Sequence, residues 1–370
     1  MAAALARWLV ALALALVLVG CSVTSVDDAR PTAQSRSTIS ATTAVRPSPS
    51  LAPGGMTPSP WLPATPSPVG SRVTVAGCCG TFAWLDAQRL VVYDAPQGGD
   101  TGAWLVARDG SSRTHLDSLY GLPSPTGLVA VPDAAAGITR IRDAAGTVRG
   151  VIPNGGPVTW ISPDGLRVSW LEPLPVRTPS SSVDRAARIW TAGVDGANPR
   201  AVADLLAAEA AWTADGHSLI AAARALDGSS PGIWVIDVES GTTRVVVETV
   251  FPQNVRLSPS RTLVAYVETF SGDPATDGLW VASLTDERRW RVPVDTPGYR
   301  WGATDDTLWL LEYDDAGDRL VEVEAGSGDE LRIIALDATV RGDVWEIAPD
   351  GRALAFWRDD AGTVELLAWG

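Results

Sequence analysis

The chain has 370 residues, a formal net charge of −14, and 29 basic residues that are all arginine. So acidic a balance, with no basic stripe, excludes a nucleic-acid partner, and the absence of lysine excludes Schiff-base and lysine-general-base chemistry. Its 46% apolar content is that of a globular protein with a sizeable core, while two histidines and the cysteines Cys21, Cys78 and Cys79 offer no spacing for a structural zinc site.

Residues 1–20 read as a secretory signal peptide. Arg7 precedes an apolar run from Trp8 to Val19, and small Gly20 stands before Cys21. That run is about twelve residues, short of the roughly 20 that a membrane-spanning helix needs. Leu18-Val19-Gly20-Cys21 resembles the lipobox of bacterial lipoproteins, which implies signal-peptidase cleavage between Gly20 and Cys21 and acylation of the Cys21 thiol. A plain secreted protein would leave the position of this cysteine without a reason. Two or three acyl chains hold a protein stably where one does not, so the expected location is extracytoplasmic, lipid-anchored to the cell membrane. From Ser22 to Gly70, 25 of 49 residues are Pro, Ser or Thr without apolar periodicity. Residues 21–70 are therefore expected to be the lipidated N-terminus and a disordered tether, and residues 71–370 the folded domain.

Self-similarity organises that domain. Anchoring on the residue before a turn-rich tetrad gives Trp84, Leu122, Trp160, Trp212, Leu257, Trp301 and Ile347. An apolar strand follows, as in WISPDGLRVSW, AWTADGHSLIAAA and IAPDGRALAFW. Next come a strand with an aromatic or aliphatic pair (RIWTA, GIWVI, GLWVA), a Gly or acidic turn, and a closing strand such as TRVVVE. Four short antiparallel strands every 40–50 residues or so predict propeller blades, and the alternation along LRVSW and TLVAYV supports strands over helices. The one helix-like run, AVADLLAAEAAW (201–212), reads as a loop insertion between blades.

S-P-D-G before an apolar strand, followed by an I-W strand, resembles the WD40-like PD40 repeat of TolB-type propellers over roughly residues 82–370. The fold expected is all-β: a single β-propeller of seven four-stranded blades. The last unit, VWEIAPDGRALAFW onward, has room for three strands, while RVTVAG (72–77) is a spare one. This N-terminal strand is expected to complete the last blade, because closure removes exposed sheet edges.

Among candidate sites, Asp164, Asp215 and Asp350 each precede glycine between two strand signals, which is hairpin chemistry. Equivalent copies around a ring cannot converge on one substrate. Most of the tryptophans from Trp84 onward recur at the same repeat positions, as blade packing would require; Trp290, Trp309 and Trp357 do not. There is no G-x-S-x-G or H-E-x-x-H motif, and His115 and His217 read as solvated. Asp314, Asp315, Asp318, Asp359 and Asp360 lack the ligand alternation of an EF-hand loop, so hairpin turns explain them better than calcium does. Cys78-Cys79, between Gly77 and Gly80, either form a strained vicinal disulfide in an oxidising compartment or stay as two small thiols. Long loops at 171–187, 224–232, 269–278 and 314–318 share one rim, and such loops usually carry recognition. They make Arg177, Arg185, Arg224, Asp273 and Asp277 the candidate partner-binding rim; solvated loops are the plainer reading.

TolB-like propellers generally serve as interaction platforms. The resemblance therefore implies a monomeric, non-enzymatic protein that binds an envelope protein or glycan, with no catalytic residue, metal or cofactor. The alternative is a propeller-type enzyme, lactonase- or cyclase-like, with a carboxylate or metal site in the central channel.

Overall fold

The computed structural model describes residues 71–369 apart from 77–80, 95–101, 116–121, 125, 134, 144, 154–158, 176–184, 208–209, 251, 270, 272, 295–297 and 314–316. Gly20, Cys21, the tether, Cys78, Cys79, Arg177, Asp314 and Asp315 lie outside the described residues.

Every regular element among the described residues is a β-strand. After β1 (Arg72–Ala76), one antiparallel sheet holds β2 (Thr81–Asp86), β3 (Arg89–Asp94), β4 (Gly102–Ala107) and β5 (Arg113–His115). A second holds β6 (Leu122–Pro123), β7 (Val129–Asp133), β8 (Ile138–Arg142) and β9 (Val148–Pro153). An eight-stranded sheet then joins two repeats. The first is β10 (Thr159–Ile161), β11 (Arg167–Pro173), β12 (Ala186–Gly193) and β13 (Arg200–Ala207). The second is β14 (Ala211–Trp212), β15 (Ser218–Arg224), β16 (Gly232–Asp237) and β17 (Thr243–Glu248). The next sheet is β18 (Pro252–Leu257), β19 (Leu263–Glu268), β20 (Gly278–Ser283) and β21 (Arg289–Arg291). It is followed by β22 (Tyr299–Trp301), β23 (Thr307–Glu312), β24 (Arg319–Glu324) and β25 (Glu330–Ala335). The final sheet has the order β1-β28-β27-β26, built from β26 (Val340–Ile347), β27 (Ala353–Arg358), β28 (Thr363–Ala368) and the strand from the other end of the domain.

The fold is an all-β propeller closed by that N-terminal strand. Arg72 pairs with Leu367 and Val73 with Leu366. The apolar faces of neighbouring sheets form the core. Trp309, Leu311 and Ile334 of one sheet interlock with Trp345, Phe356 and Leu367 of the next. Val75, Trp357 and Leu366 pack onto Leu90, Val92 and Val106, so the last sheet meets the first and the ring is continuous. Trp309, buried in this way, and Trp357 therefore belong to the core, and Trp290 donates its indole N–H to Ala325 O at 2.9 Å.

The segment from Ala201 departs from its expected helix. Residues 200–207 form strand β13, paired along β12 and, at Leu206 and Ala207, with Arg224 and Ala223 of β15. Its alanines and leucines favour a helix intrinsically, but an open strand edge on each side offers a full set of backbone partners, and burial of Val202, Leu205 and Leu206 outweighs propensity. This shared strand fuses the two repeats into one sheet.

The turns after the first strands repeat atom for atom. Ser162, Thr213, Ser258, Gly302 and Ala348 each donate a backbone N–H to the carbonyl five residues on. Asp164 Oδ1 accepts the Leu166 N–H at 3.0 Å, and Gly165 takes the positive φ of 72° that the bend demands. Where Asp-Gly is missing, Arg261 adopts φ 59° itself. The Asp-Gly carboxylates thus shape turns. The same register makes Ile161, not Trp160, the equivalent of Trp212, Leu257, Trp301 and Ile347.

Candidate functional site

Register decides which inner-strand side chains face the axis. The residue one before each turn (Ile161, Trp212, Leu257, Trp301, Ile347) packs between sheets. Strand alternation turns the preceding residue the other way. That position reads Trp160, Ala211, Arg256, Arg300 and Glu346, so three successive repeats place a charge on the inner face.

These three side chains meet. Arg300 Nε lies 3.1 Å and Arg256 Nη1 3.4 Å from Glu346 Oε1. Arg256 and Glu346 belong to sheets separated by a whole repeat, and β22 touches both β18 and β26. Such a contact is geometrically open only on the axial side of the ring. The Arg300 side chain is 4% exposed. Its burial is tolerated because Nε donates to Trp345 O at 2.9 Å, Nη1 donates to Tyr299 O at 2.8 Å, and the guanidinium lies 4.4 Å from the Trp345 ring centroid. Arg256 Nε donates to Asn254 Oδ1 at 3.0 Å, and Tyr299 Oη donates to Asn254 O at 2.5 Å. Indole N–H groups fix the strands: Trp84 donates to Glu346 O, Trp301 to Arg256 O and Trp212 to Trp160 O, at 3.0–3.1 Å.

Both arginine contacts fall on Oε1. Glu346 Oε2 and Arg256 Nη2 carry no partner among the described residues. The cluster carries a formal charge of +1 inside a strongly acidic chain, and its open atoms are one guanidinium nitrogen and one carboxylate oxygen. That is an anion-binding group beside a proton acceptor.

The residues expected on the rim brace the loops that hold them. Arg224 Nη2 donates to Val250 O at 3.1 Å, Asp273 Oδ1 accepts from Ala275 N at 2.9 Å, and Asp277 Oδ1 accepts from Ser271 N and Oγ at 3.0 and 2.7 Å. Arg185 is exposed and its carbonyl accepts from Ala207 N. His217 is solvated, with Nδ1 3.6 Å from Glu239 Oε1. His115, by contrast, is half-buried, its ring centroid 4.5 Å from that of Trp104. Asp318 caps a buried backbone: its Oδ2 accepts from Val340 N at 2.7 Å, and Asp360 pairs with Arg358. Arg256, Arg300 and Glu346 were missed by motif reading, because an arginine in an apolar strand announces nothing until the repeats are aligned on their turns.

Fold and site together define a β-propeller with a charged axis. No protein family and no curated protein sequence matches the chain. Solved structures do. It is similar to an oligogalacturonate lyase in complex with manganese, at 12% identity, TM-score 0.61, over 83% of this chain and 98% of that one. The oligogalacturonate lyase of Vibrio parahaemolyticus is similar at 12% identity and TM-score 0.61, over 82% and 98% of the two chains. The Cps50 (Swd1) β-propeller domain of Myceliophteria thermophila is similar at 11% identity and TM-score 0.52, over 81% and 99%. At such identities the likeness is one of fold.

It nevertheless corrects the expectation of a non-enzymatic protein. The lyases are enzymes on the same propeller, and they span almost the same length as this chain. The lack of a hydrolase motif and of histidines is thus no argument against catalysis on this scaffold. The manganese of the first lyase has no matching donor set here: among the described residues, no three His, Cys, Asp or Glu side chains group to hold a metal.

Proposed function

We propose that the protein is a propeller enzyme acting at its axis on a carboxylate-bearing saccharide, and that a lipid on Cys21 holds it outside the cell membrane. The ring is read as seven blades, with residues 21–70 as the tether. The observation that carries the reading is the convergence of Arg256, Arg300 and Glu346 from three successive repeats. The substrate class is taken from the lyases that share the fold.

Arg256 docks the substrate carboxylate through a charge-assisted hydrogen bond. Beside it, Glu346 takes the proton from the carbon next to that carboxylate. The released electron pair forms a C=C bond, the glycosidic C–O bond breaks, and the departing oxygen takes up the proton that Glu346 returns. Arg300, pinned by Trp345 and Tyr299, balances the charge that builds on the carboxylate in the transition state.

The test is to incubate purified protein with oligogalacturonate and follow the ultraviolet absorbance of the unsaturated product. Glu346→Gln is expected to lower turnover by roughly 10²–10⁴-fold, and Arg256→Ala to raise KM more than it lowers kcat. No unsaturated product from any acidic oligosaccharide, or an unimpaired Glu346→Gln variant, would sink the reading. For the anchor, Cys21→Ser is expected to abolish lipid labelling and membrane retention; unchanged retention would refute it.

A further inference from the structure

Away from the axis, a cavity of about 550 Å³ opens between the repeats β14–β17 and β18–β21, within the usual range for small-molecule sites, about 300–1,000 Å³. Its walls come from the rim loops: Ser230 between β15 and β16, Thr276 between β19 and β20, and Thr249 on the crossing from β17 to β18. Glu248 closes one side, and the pair Glu268 and Arg289 lines the cavity opposite.

Two features mark it as built to receive hydroxyl groups. Glu268 is only 5% exposed, yet ionic, held by Arg289 Nη2 at 2.9 Å from Oε2. Arg289 is in turn aligned by the Trp280 ring, 4.2 Å from its guanidinium carbon, and Trp280 is fixed by its N–H to Thr276 O at 2.8 Å. Independently, Thr249 is 5% exposed and its Oγ1 has no hydrogen-bond partner among the described residues. A buried hydroxyl without a partner is a cost that native proteins rarely carry, and a ligand in the cavity removes it. Buried Tyr266 Oη, beneath Arg289, is unpartnered in the same way.

The geometry points to a second binding site here, for a small neutral polyhydroxylated molecule such as a mono- or disaccharide. An Arg–Glu pair presents donors and an acceptor side by side, which matches vicinal hydroxyls; Thr249, Ser230 and Thr276 supply shorter-range partners. Two carboxylates against one guanidinium give the lining a formal charge of −1, so the site rejects the anions that the axial cluster accepts. It does not depend on the proposed axial chemistry.

The experiment is calorimetric titration of the full-length protein with glucose, galactose and maltose, and with glucuronate as the anionic counterpart. A neutral sugar is expected to bind, with glucuronate at least roughly tenfold weaker. Thr249→Val keeps the shape and removes the hydroxyl. It should weaken the sugar roughly tenfold while leaving the melting temperature and any activity on acidic oligosaccharide unchanged. The site is overturned if no neutral sugar binds, if glucuronate binds as tightly, or if Thr249→Val binds sugar as the wild type does. Failure of the axial chemistry would show instead as absent product with this binding intact.

Discussion

Single side chains carry most of the recognisable chemistry, and their visibility in the sequence differs. Asp164, Asp215 and Asp350 are legible because a turn is a local event and Gly165, Gly216 and Gly351 supply its positive φ. Arg300 is not, because what makes it special is Glu346, 46 residues away along the chain and contributed by the next repeat. A turn-anchored alignment would have exposed it as one of three successive charges on the inner face. Trp301 joins the two levels, its indole bridging from one repeat to Arg256 O in the previous one. Trp301→Phe is expected to cost about 1–3 kcal/mol, the penalty of an orphaned buried carbonyl, read as a lower denaturant midpoint at constant m-value. Glu322 offers a pH test. Burial pushes its carboxyl up, and Arg332, 3.3 Å away, offsets this only in part. A folded-state value above the unfolded one means that the group favours folding below the unfolded carboxyl range, and this contribution is lost as pH rises through the folded value. Glu322→Gln is accordingly expected to stabilise the protein at neutral pH, with the advantage shrinking in acid; thermal melts across pH 3–8 or so check both ends.

At the scale of the strand, hydrophobic alternation was a sound guide wherever a strand has one buried face. It misled at residues 201–207, where the composition is helical and only the two neighbouring edges impose extension. No local pattern reports an edge contributed by another repeat. The closing strand β1 was legible for a different reason: the final repeat is one strand short. Its seal is electrostatic as well as hydrogen-bonded. Glu365 on β28 is 4% exposed and lies 3.4 Å from Arg72 on β1 and 3.3 Å from Arg358 on β27. Arg72 also donates to Leu336 O, tying β1 to the neighbouring sheet. Glu365→Ala leaves two arginines facing an apolar gap and is expected to cost about 3–5 kcal/mol. Glu365→Gln, which keeps the shape and an acceptor, should cost less; chemical denaturation of both variants makes the comparison.

For the whole molecule, continuity of the core around the ring sets how it fails. In an open array of repeats each unit leans on two neighbours at most and the ends fray. Here the last sheet packs on the first through Trp357, Leu366, Leu90 and Val106, so no repeat is terminal. Thermal unfolding is expected to be a single transition, coincident by tryptophan fluorescence and circular dichroism. Two separated transitions would show that the eight-stranded sheet or the closing sheet melts alone. Deleting residues 71–76 should abolish that coincidence, since it reopens β28 as an edge and unpacks Val75.

The pairing of β1 with β28 also sets a timetable for biosynthesis. The first strand of the domain to leave the ribosome must wait for a partner made roughly 300 residues later. At about 5–20 residues per second, that interval is on the order of 15–60 s. Throughout it, Arg72–Ala76 is an apolar strand with no sheet to join. The final pairing is of very high contact order and therefore slow by nature. A chain interrupted anywhere before β28 cannot seal its ring, so quality control of this protein is concentrated in its last few residues.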